Sequence, residues 1–241
     1  MSSEQTLTRL GHLLRAFRER RFALLLAFLI VSLAGPPVLF GLWFSGKWLD
    51  GLMSLLTLAT IFSLCFEPRQ RLFAALFGTL ALAFSLGGQA VSGSTGNVVQ
   101  VVGQLCEMVF FFGAAGLVVK TLFNRLSISF DSLMGAACGY LLVGLGWAVC
   151  YALIERFHPQ SFKLSESVNE LGDRSQTLPH VLTYYSFVTL TTVGYGDVTP
   201  ISPAARTVSW MEAITGQFYL GVIVAGLVSM IVADNSRRKP E

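Results

Sequence analysis

The sequence predicts an all-α membrane protein, and three of its features carry that prediction. Of the 241 residues, 53% are apolar and 13% are charged, whereas charged residues make up about 25% of a typical soluble domain. Uncharged runs recur along the chain at about the 20 residues that a helix needs to cross a bilayer. The four cysteines lie inside these runs, which indicates buried side chains and not a disulfide framework. The net charge of +3 is too small to favour a nucleic acid partner.

Six uncharged runs are candidates for membrane-spanning helices. They are residues 22–44, 51–66, 72–91, 98–119, 132–154 and 210–233. The second run is short, and the third and fourth are separated only by the uncharged turn at 92–97. Gly35, Pro36 and Pro37 lie in the middle of the first run, where two adjacent prolines predict a kinked or broken helix.

The basic residues predict the orientation of these runs. Most of the 17 lysines and arginines fall before the first run, between the second and third, between the fourth and fifth, or after the sixth. The positive-inside rule places such segments in the cytoplasm. We therefore expect a multi-pass protein of the cell (plasma or inner) membrane, in contact with membrane lipid, with both termini in the cytoplasm.

A shorter apolar segment, residues 178–190, lies between the fifth and sixth runs. Pro179 suits the first turn of a helix and Thr177 suits its N-cap, so we expect a half-helix that enters the membrane and stops near Leu190. The next residues, 191–197, read TTVGYGD. Non-helical backbone at membrane depth is tolerated only where it is buried in protein or lines a water-filled cavity. Gly194 and Gly196 permit backbone geometries in which successive carbonyl groups point the same way.

A row of carbonyl oxygens can replace the water shell of a weakly hydrated monovalent cation. One strand cannot surround an ion, whereas four copies around an axis can, so the segment predicts a homotetramer with the permeation path on its symmetry axis. The C-terminal end of the half-helix adds a partial negative charge near Leu190, which also favours a cation. No cofactor is expected besides the permeant ion. No HExxH or Ser/His/Asp pattern falls at membrane depth, so an enzyme is not expected.

The heptapeptide at 191–197 resembles the signature of the potassium channel family, in which the backbone carbonyls of a TVGYG sequence coordinate K+. The resemblance covers about residues 131–233. It implies a selectivity filter made of Thr191, Thr192, Val193, Gly194, Tyr195, Gly196 and Asp197. It further implies that the carbonyl oxygens of four of them, with the Thr192 hydroxyl, coordinate K+: Thr192, Val193, Gly194 and Tyr195.

The resemblance also implies filter-support roles for three residues of the half-helix. Tyr184 and Tyr185 stand where the family places an aromatic pair behind the filter. Val188 stands where some members carry a glutamate, which suggests a filter held without a carboxylate clamp near Asp197.

In the last run, Gly216 and Gly221 stand where the family's inner helices place a hinge and a close-packing glycine. Glycine is equally ordinary at contacts between membrane helices. One face of this helix is expected to line the cavity and the inner gate, and it carries Gln217, Leu220, Val224 and Val228.

Gating is the least determined property. The fourth run carries no lysine or arginine from 98 to 119, and Lys120 lies only at its edge. Since a voltage sensor needs several gating charges, we expect a channel that is not steeply voltage-gated. Glu107 and Glu212 are candidate proton sites, because carboxyl groups are rare at membrane depth. For each, the sequence favours the alternative of a satisfied hydrogen bond to a neighbouring helix.

The predicted organisation has five parts. They are a basic cytoplasmic segment (1–21), a four-helix membrane domain without sensor arginines (22–119), a cytoplasmic linker (120–130), a pore domain of outer helix, pore helix, filter and inner helix (131–234), and a short basic cytoplasmic tail (235–241). The predicted function is passive, potassium-selective conduction through a tetrameric filter. The alternative is a non-conducting or regulatory subunit of a potassium channel or potassium uptake system.

Overall fold

The fold is that of a computed structural model, which describes residues 21–40, 72, 76–81, 83–84, 87, 94–123, 130–169 and 174–237. Most of these residues are helical. In chain order the elements are α1 (Arg21–Phe40), α2 (Ser94–Phe123), α3 (Phe130–Phe157), β1 (Phe162–Leu164), α4 (Glu166–Asn169), α5 (Arg174–Leu190), β2 (Val198–Pro200), α6 (Pro203–Phe218), a π-helical turn (Tyr219–Val224) and α7 (Ala225–Arg237).

Three helical stretches within the described ranges are long and apolar enough to cross a membrane: Thr95–Phe123, Asp131–Phe157 and Pro203–Met230. They correspond to the fourth, fifth and sixth predicted runs, so the coarse prediction of a helical membrane protein is confirmed. The apolar part of α1, Phe22–Ala34, is shorter. The predicted run at 51–66 lies outside the described residues, as does part of the run at 72–91.

Two helices differ from their predicted form at prolines. The backbone of α1 stays helical through residues 35–37, so the helix is not broken there, and a kink at the two prolines stays a prediction. Helix α5 begins at Arg174, which puts Pro179 inside the helix and makes Thr177 a buried helical residue instead of its N-cap. A proline ring crowds the carbonyl four residues earlier, and that carbonyl belongs to the first turn of α5, so the rest of the helix is undisturbed.

A small antiparallel sheet, which the sequence did not predict, pairs a strand that precedes α5 with a strand that directly follows the TTVGYGD segment. Strand β1 pairs with β2 in the register Phe162↔Pro200, Lys163↔Thr199 and Leu164↔Val198. Beside it, the Ile201 amide donates to the Ser161 carbonyl at 2.7 Å. Strands of three residues are too short for alternation of apolar and polar side chains to reveal them. The sheet anchors the chain directly after residue 197.

Two buried clusters hold the helices together. The helix core joins α1, α2 and α3 to the end of α5 and to the π-helical turn; its members include Phe22, Phe110, Phe111, Leu142, Leu190 and Tyr219. The aromatic core joins α3, the sheet and α5 through three mutually contacting rings. In this second cluster the centroid distances are 5.4 Å for Tyr151 to Phe162, 5.0 Å for Tyr151 to Tyr185 and 5.3 Å for Phe162 to Tyr185. Together the clusters fix α5 against α3.

The last membrane helix is longer and less regular than predicted. It begins at Pro203, where the Oγ atom of Ser202 accepts a hydrogen bond from the Ala205 amide at 3.2 Å. It then passes through the π-helical turn before α7. At the start of that turn, the buried Tyr219 hydroxyl donates to the Ala136 carbonyl of α3 at 2.8 Å. A π-helical turn interrupts the regular helical register, and such turns are frequent at functional sites.

Candidate ion-conducting site

The predicted filter, residues 191–197, leaves the end of α5 with an alternating backbone. The φ angle is positive at every second residue: 60° at Thr192, 57° at Gly194 and 81° at Gly196. Alternation between left-handed and right-handed backbone turns successive amide groups to one side of the chain, which leaves the carbonyl groups on the other side. A positive φ is uncommon for a residue with a side chain. The backbone conformation of Thr192 is therefore unfavourable in free energy and needs support from neighbouring contacts.

The amide groups at the start of the filter bond back onto the last turn of α5. The Thr192 amide donates to the Thr189 carbonyl at 2.9 Å, and the amides of Val193 and Gly194 donate to the Val188 carbonyl at 2.9 and 3.4 Å. Val188 therefore contacts the filter through its backbone oxygen, which the residue type alone did not indicate.

The carbonyl oxygens of the filter are left without such partners. Within the part of the chain that the structure describes, no hydrogen bond reaches the carbonyls of the four predicted K+ ligands, Thr192, Val193, Gly194 and Tyr195. The side chains are also open to the surroundings, with Val193 51% and Tyr195 72% exposed. A single chain thus presents a row of unused acceptors.

One carboxyl group holds the far end of the filter, and we call its surroundings the Asp197 support (Tyr184, Asp197, Val198 and Ser165). The Tyr184 hydroxyl donates to Asp197 Oδ2 at 2.8 Å. The Val198 amide donates to Asp197 Oδ1 at 3.1 Å, and the Ser165 amide donates to the Asp197 carbonyl at 2.8 Å. Asp197 is thus held by a tyrosine hydroxyl and two backbone amides, and the expectation of a filter without a glutamate clamp at position 188 stays a prediction.

The second residue of the aromatic pair makes a different contact. The Tyr185 hydroxyl lies 2.7 Å from Ser209 Oγ on α6. Ser209 donates its only hydrogen to the Ala205 carbonyl at 2.7 Å, so Tyr185 is the donor to Ser209. The two tyrosines therefore make different contacts: Tyr184 donates to Asp197 of the filter, and Tyr185 connects α5 to α6 by a hydrogen bond.

A second carboxyl group lies behind α5, in what we call the Glu212 support (Glu212, Tyr151, Ser186 and Gly144). Glu212 is fully buried, at 0% exposure. Its Oε2 accepts a hydrogen bond from the Tyr151 hydroxyl of α3, and its Oε1 lies 2.5 Å from Ser186 Oγ of α5. Ser186 Oγ also lies 2.7 Å from the Gly144 carbonyl of α3. The other candidate proton site, Glu107, is partly buried on α2.

The two glycines predicted as hinge positions have different surroundings. A Cβ atom on Gly216 would collide with the carbonyl oxygen of Leu190, which also accepts a hydrogen bond from the Tyr140 hydroxyl at 3.0 Å. A Cβ atom on Gly221 would meet nothing within 4 Å, and Gly221 lies in the π-helical turn. Gly216 thus allows α6 to approach the end of α5, and the hinge role stays a prediction for both glycines.

The predicted cavity face contacts the filter at one end. Gln217 Nε2 donates to the Thr192 hydroxyl at 3.3 Å. Leu220 and Val228 are exposed on the single chain, whereas Val224 is partly buried and packs against the helix core. Leu220 and Val224 lie in the π-helical turn itself, so the four residues do not form one uninterrupted α-helical stripe.

Comparison with known proteins gives a family match over this region. Residues 174–233 match the family model described as Ion channel. Over 111 residues the chain is 34% identical to Protein LctB of Geobacillus stearothermophilus, covering 46% of this chain and 78% of that protein. Over 49 residues it is 39% identical to Two pore potassium channel c of Oryza sativa subsp. japonica, covering 20% of this chain and 11% of that protein. Over 65 residues it is 31% identical to Two-pore potassium channel 3 of Arabidopsis thaliana, covering 24% and 15%.

The chain therefore spans well under a fifth of either plant channel but more than two thirds of LctB. The matched ion channel region begins where α5 begins and contains the filter segment, α6 and the π-helical turn. With three membrane-length helices in the described residues, this region belongs to a membrane protein. The chain is a member of the same protein family as LctB, and it carries an ion channel domain at residues 174–233.

Proposed function

We propose that the chain is one subunit of a potassium-selective ion channel that conducts K+ passively down its gradient. The observation that carries this proposal is the alternating backbone at residues 192, 194 and 196, with free carbonyls beside it. Carbonyl oxygens in a row can replace the water around K+ and need no charged side chain. The names of the two plant relatives, both potassium channels, support the same ion.

The proposed assembly is a homotetramer in lipid. One copy of the filter supplies one wall of carbonyls, and an ion must be surrounded on all sides to lose its water. On the single chain, α6 and the π-helical turn also expose large apolar side chains, among them Trp210, Met211, Ile214, Phe218 and Val222. Identical subunits and lipid tails are the partners that suit such a surface.

The proposed channel is not steeply voltage-gated, and it lies in the cell membrane with both termini in the cytoplasm. Helix α2 carries no lysine or arginine before Lys120 in its last turn. A conductance measured against voltage should therefore change gradually. A curve as steep as that of a channel with several gating charges would contradict this part of the proposal.

Flux into liposomes tests the filter. Gly194→Ala should abolish potassium-selective flux, because φ at Gly194 is +57° and an alanine there is strained by about 1–2 kcal/mol in every subunit. An added Cβ at Gly194 meets nothing within 4 Å, so the change acts on the backbone and not on packing. The matched control is Gly116→Ala on α2, where the space is equally open and φ is ordinary.

Tyr195→Asp is the second variant in the same assay, and it should admit Na+ as well as K+. Selective flux retained by both Gly194→Ala and Tyr195→Asp would contradict the filter assignment. Intact wild-type tetramers that carry no K+ under a K+ gradient would instead favour the alternative, a non-conducting or regulatory subunit.

A further inference from the structure

The hydrogen bonds around Glu212 require one more proton than the two neighbouring hydroxyl groups supply. Ser186 Oγ lies within hydrogen-bond distance of two oxygens, Glu212 Oε1 at 2.5 Å and the Gly144 carbonyl at 2.7 Å. A serine hydroxyl has one hydrogen, and a carbonyl oxygen has none. If Ser186 donates to Gly144, the hydrogen between Ser186 and Glu212 must come from Glu212.

A protonated Glu212 completes the network. Its Oε1 hydroxyl then donates to Ser186 Oγ, Ser186 donates to the Gly144 carbonyl, and the Tyr151 hydroxyl donates to Glu212 Oε2. Three hydroxyl groups make three hydrogen bonds, and each hydrogen is used once. The ionised form leaves Ser186 with one hydrogen for two acceptors, and it leaves a charge in a site with 0% exposure.

The residues around Glu212 offer no compensating positive charge. The titratable groups that interact with it are Tyr140, Cys150 and Tyr151 from α3 and Tyr185 from α5. All four are neutral in their ordinary state. No lysine, arginine or histidine of the described ranges interacts with Glu212. A buried carboxyl without a cation favours its neutral form.

The Glu212 hydrogen-bond network is attached to α5, the helix that supports the filter, so the protonation of Glu212 can affect the filter. Ser186 lies on α5, between Tyr184, which holds Asp197, and Val188, whose carbonyl accepts the amides of filter residues 193 and 194. We propose that Glu212 is held as a neutral carboxylic acid that positions α5 and thereby the filter, so that loss of its proton reduces potassium conduction. This inference rests on the proposed function, and Glu212 is a positioning residue that touches no ion.

The direction of the effect follows from the hydrogen-bond count. Raising the pH removes the Glu212 proton, breaks one of the three hydrogen bonds and places a negative charge between α3, α5 and α6. Water or a shift of α5 must then solvate that charge. We expect wild-type K+ flux to fall several-fold from mildly acidic to alkaline pH and to recover when the pH is returned.

Two measurements on the full-length protein in liposomes test the inference. The first is K+ flux against pH for wild type and Glu212→Gln, since a glutamine amide can donate to Ser186 and accept from Tyr151 without titrating. Glu212→Gln should conduct at neutral pH and lose the alkaline fall. The control is Glu166→Gln at an exposed carboxyl group on α4, which should keep the wild-type profile. Glu107→Gln, at the other candidate proton site, should also keep the alkaline fall.

The second measurement is infrared spectroscopy, which detects the carbonyl stretch of a protonated carboxylic acid whether or not the channel conducts. The wild-type spectrum at neutral pH should contain a band component that is missing in Glu212→Gln, since any other protonated carboxyl group contributes equally to both proteins. No band in wild type, or identical bands in wild type and Glu212→Gln, would overturn the protonation. An alkaline fall that persists in Glu212→Gln, or a flat wild-type profile, would overturn the coupling to conduction. Wild type without K+ flux at any pH would overturn the proposed function, while the infrared band still decides the protonation state.

Discussion

The Asp197 support and the Glu212 support differ in the hydrogen bonds that their carboxyl groups make. Both oxygens of Asp197 accept, one from the Tyr184 hydroxyl and one from the Val198 amide, which suits a carboxylate at a partly exposed position. One oxygen of Glu212 accepts from Tyr151, and the other must donate to Ser186. Asp197 thus accepts hydrogen bonds at both oxygens in a partly exposed site, whereas Glu212 both accepts and donates in a site with 0% exposure.

This difference also indicates how much each support contributes to stability. A buried polar group that loses its partner costs about 1–3 kcal/mol, since no water replaces the lost hydrogen bond. At a partly exposed site, water replaces most of what is lost. Changes at the Glu212 support should therefore destabilise the protein more than changes at the Asp197 support.

The largest expected effect is that of Glu212→Ala. It removes the acceptor of the buried Tyr151 hydroxyl and the hydrogen bond between Glu212 and Ser186 Oγ, and it creates a cavity, so we expect a loss of about 2–5 kcal/mol in the free energy of unfolding. Denaturation of the purified protein in detergent measures it. Glu212→Gln, which keeps both hydrogen bonds, should lose much less, and equal losses for the two variants would contradict the importance of the hydrogen bonds.

A smaller effect is expected from Gly144→Ala, which acts on the same support through packing. A Cβ atom there would lie 2.5 Å from a ring carbon of Phe187, so the Phe187 ring, or α5 with it, must shift. Overpacking of this kind costs about 1–3 kcal/mol. The same denaturation assay with Gly116→Ala, whose Cβ would meet nothing within 4 Å, separates crowding from the general effect of replacing a helical glycine. Similar results for the two alanines would contradict close packing at Gly144.

The smallest loss of stability is expected at the Asp197 support. Tyr184→Phe removes one hydrogen bond to a partly exposed carboxylate, and we expect a cost of about 1 kcal/mol. A double-mutant cycle with Asp197→Asn measures the interaction, and the two changes together should cost less than their sum. Strict additivity would mean that the hydroxyl and the carboxylate are not coupled. A cost at Tyr184 above that of Glu212→Ala would reverse the comparison of the two supports.

Several features of this protein were accessible from local sequence. The membrane helices at 98–119 and 132–154 and the core of the helix at 210–233 follow from long uncharged runs. The TTVGYGD segment follows from its glycines, since Gly194 and Gly196 both have the positive φ that such a segment needs. The residue pattern also marked Glu212 as unusual, because a carboxyl within an apolar helix needs a partner.

Other features had no local signal. Nothing in residues 162–164 or 198–200 predicts that they pair, because each strand is three residues long. Helix α5 begins before its proline, since only the first turn meets the ring. The π-helical turn lies in an ordinary apolar run, and the Tyr140 contact with the Leu190 carbonyl joins helices far apart in sequence.

The sequence by itself determined that this chain belongs in a membrane, that it carries a carbonyl-rich segment at residues 191–197, and that α2 has no set of sensor charges. Composition and glycine spacing are properties of neighbouring residues, so they can be read without a fold. Only the tertiary structure decided which side chains and backbone groups hold α5 in place. Tyr151 lies 61 positions from Glu212, and Gly144 lies 42 positions from Ser186. The protonation of Glu212 depends on the water that these distant residues exclude and on the hydrogen bonds that they supply.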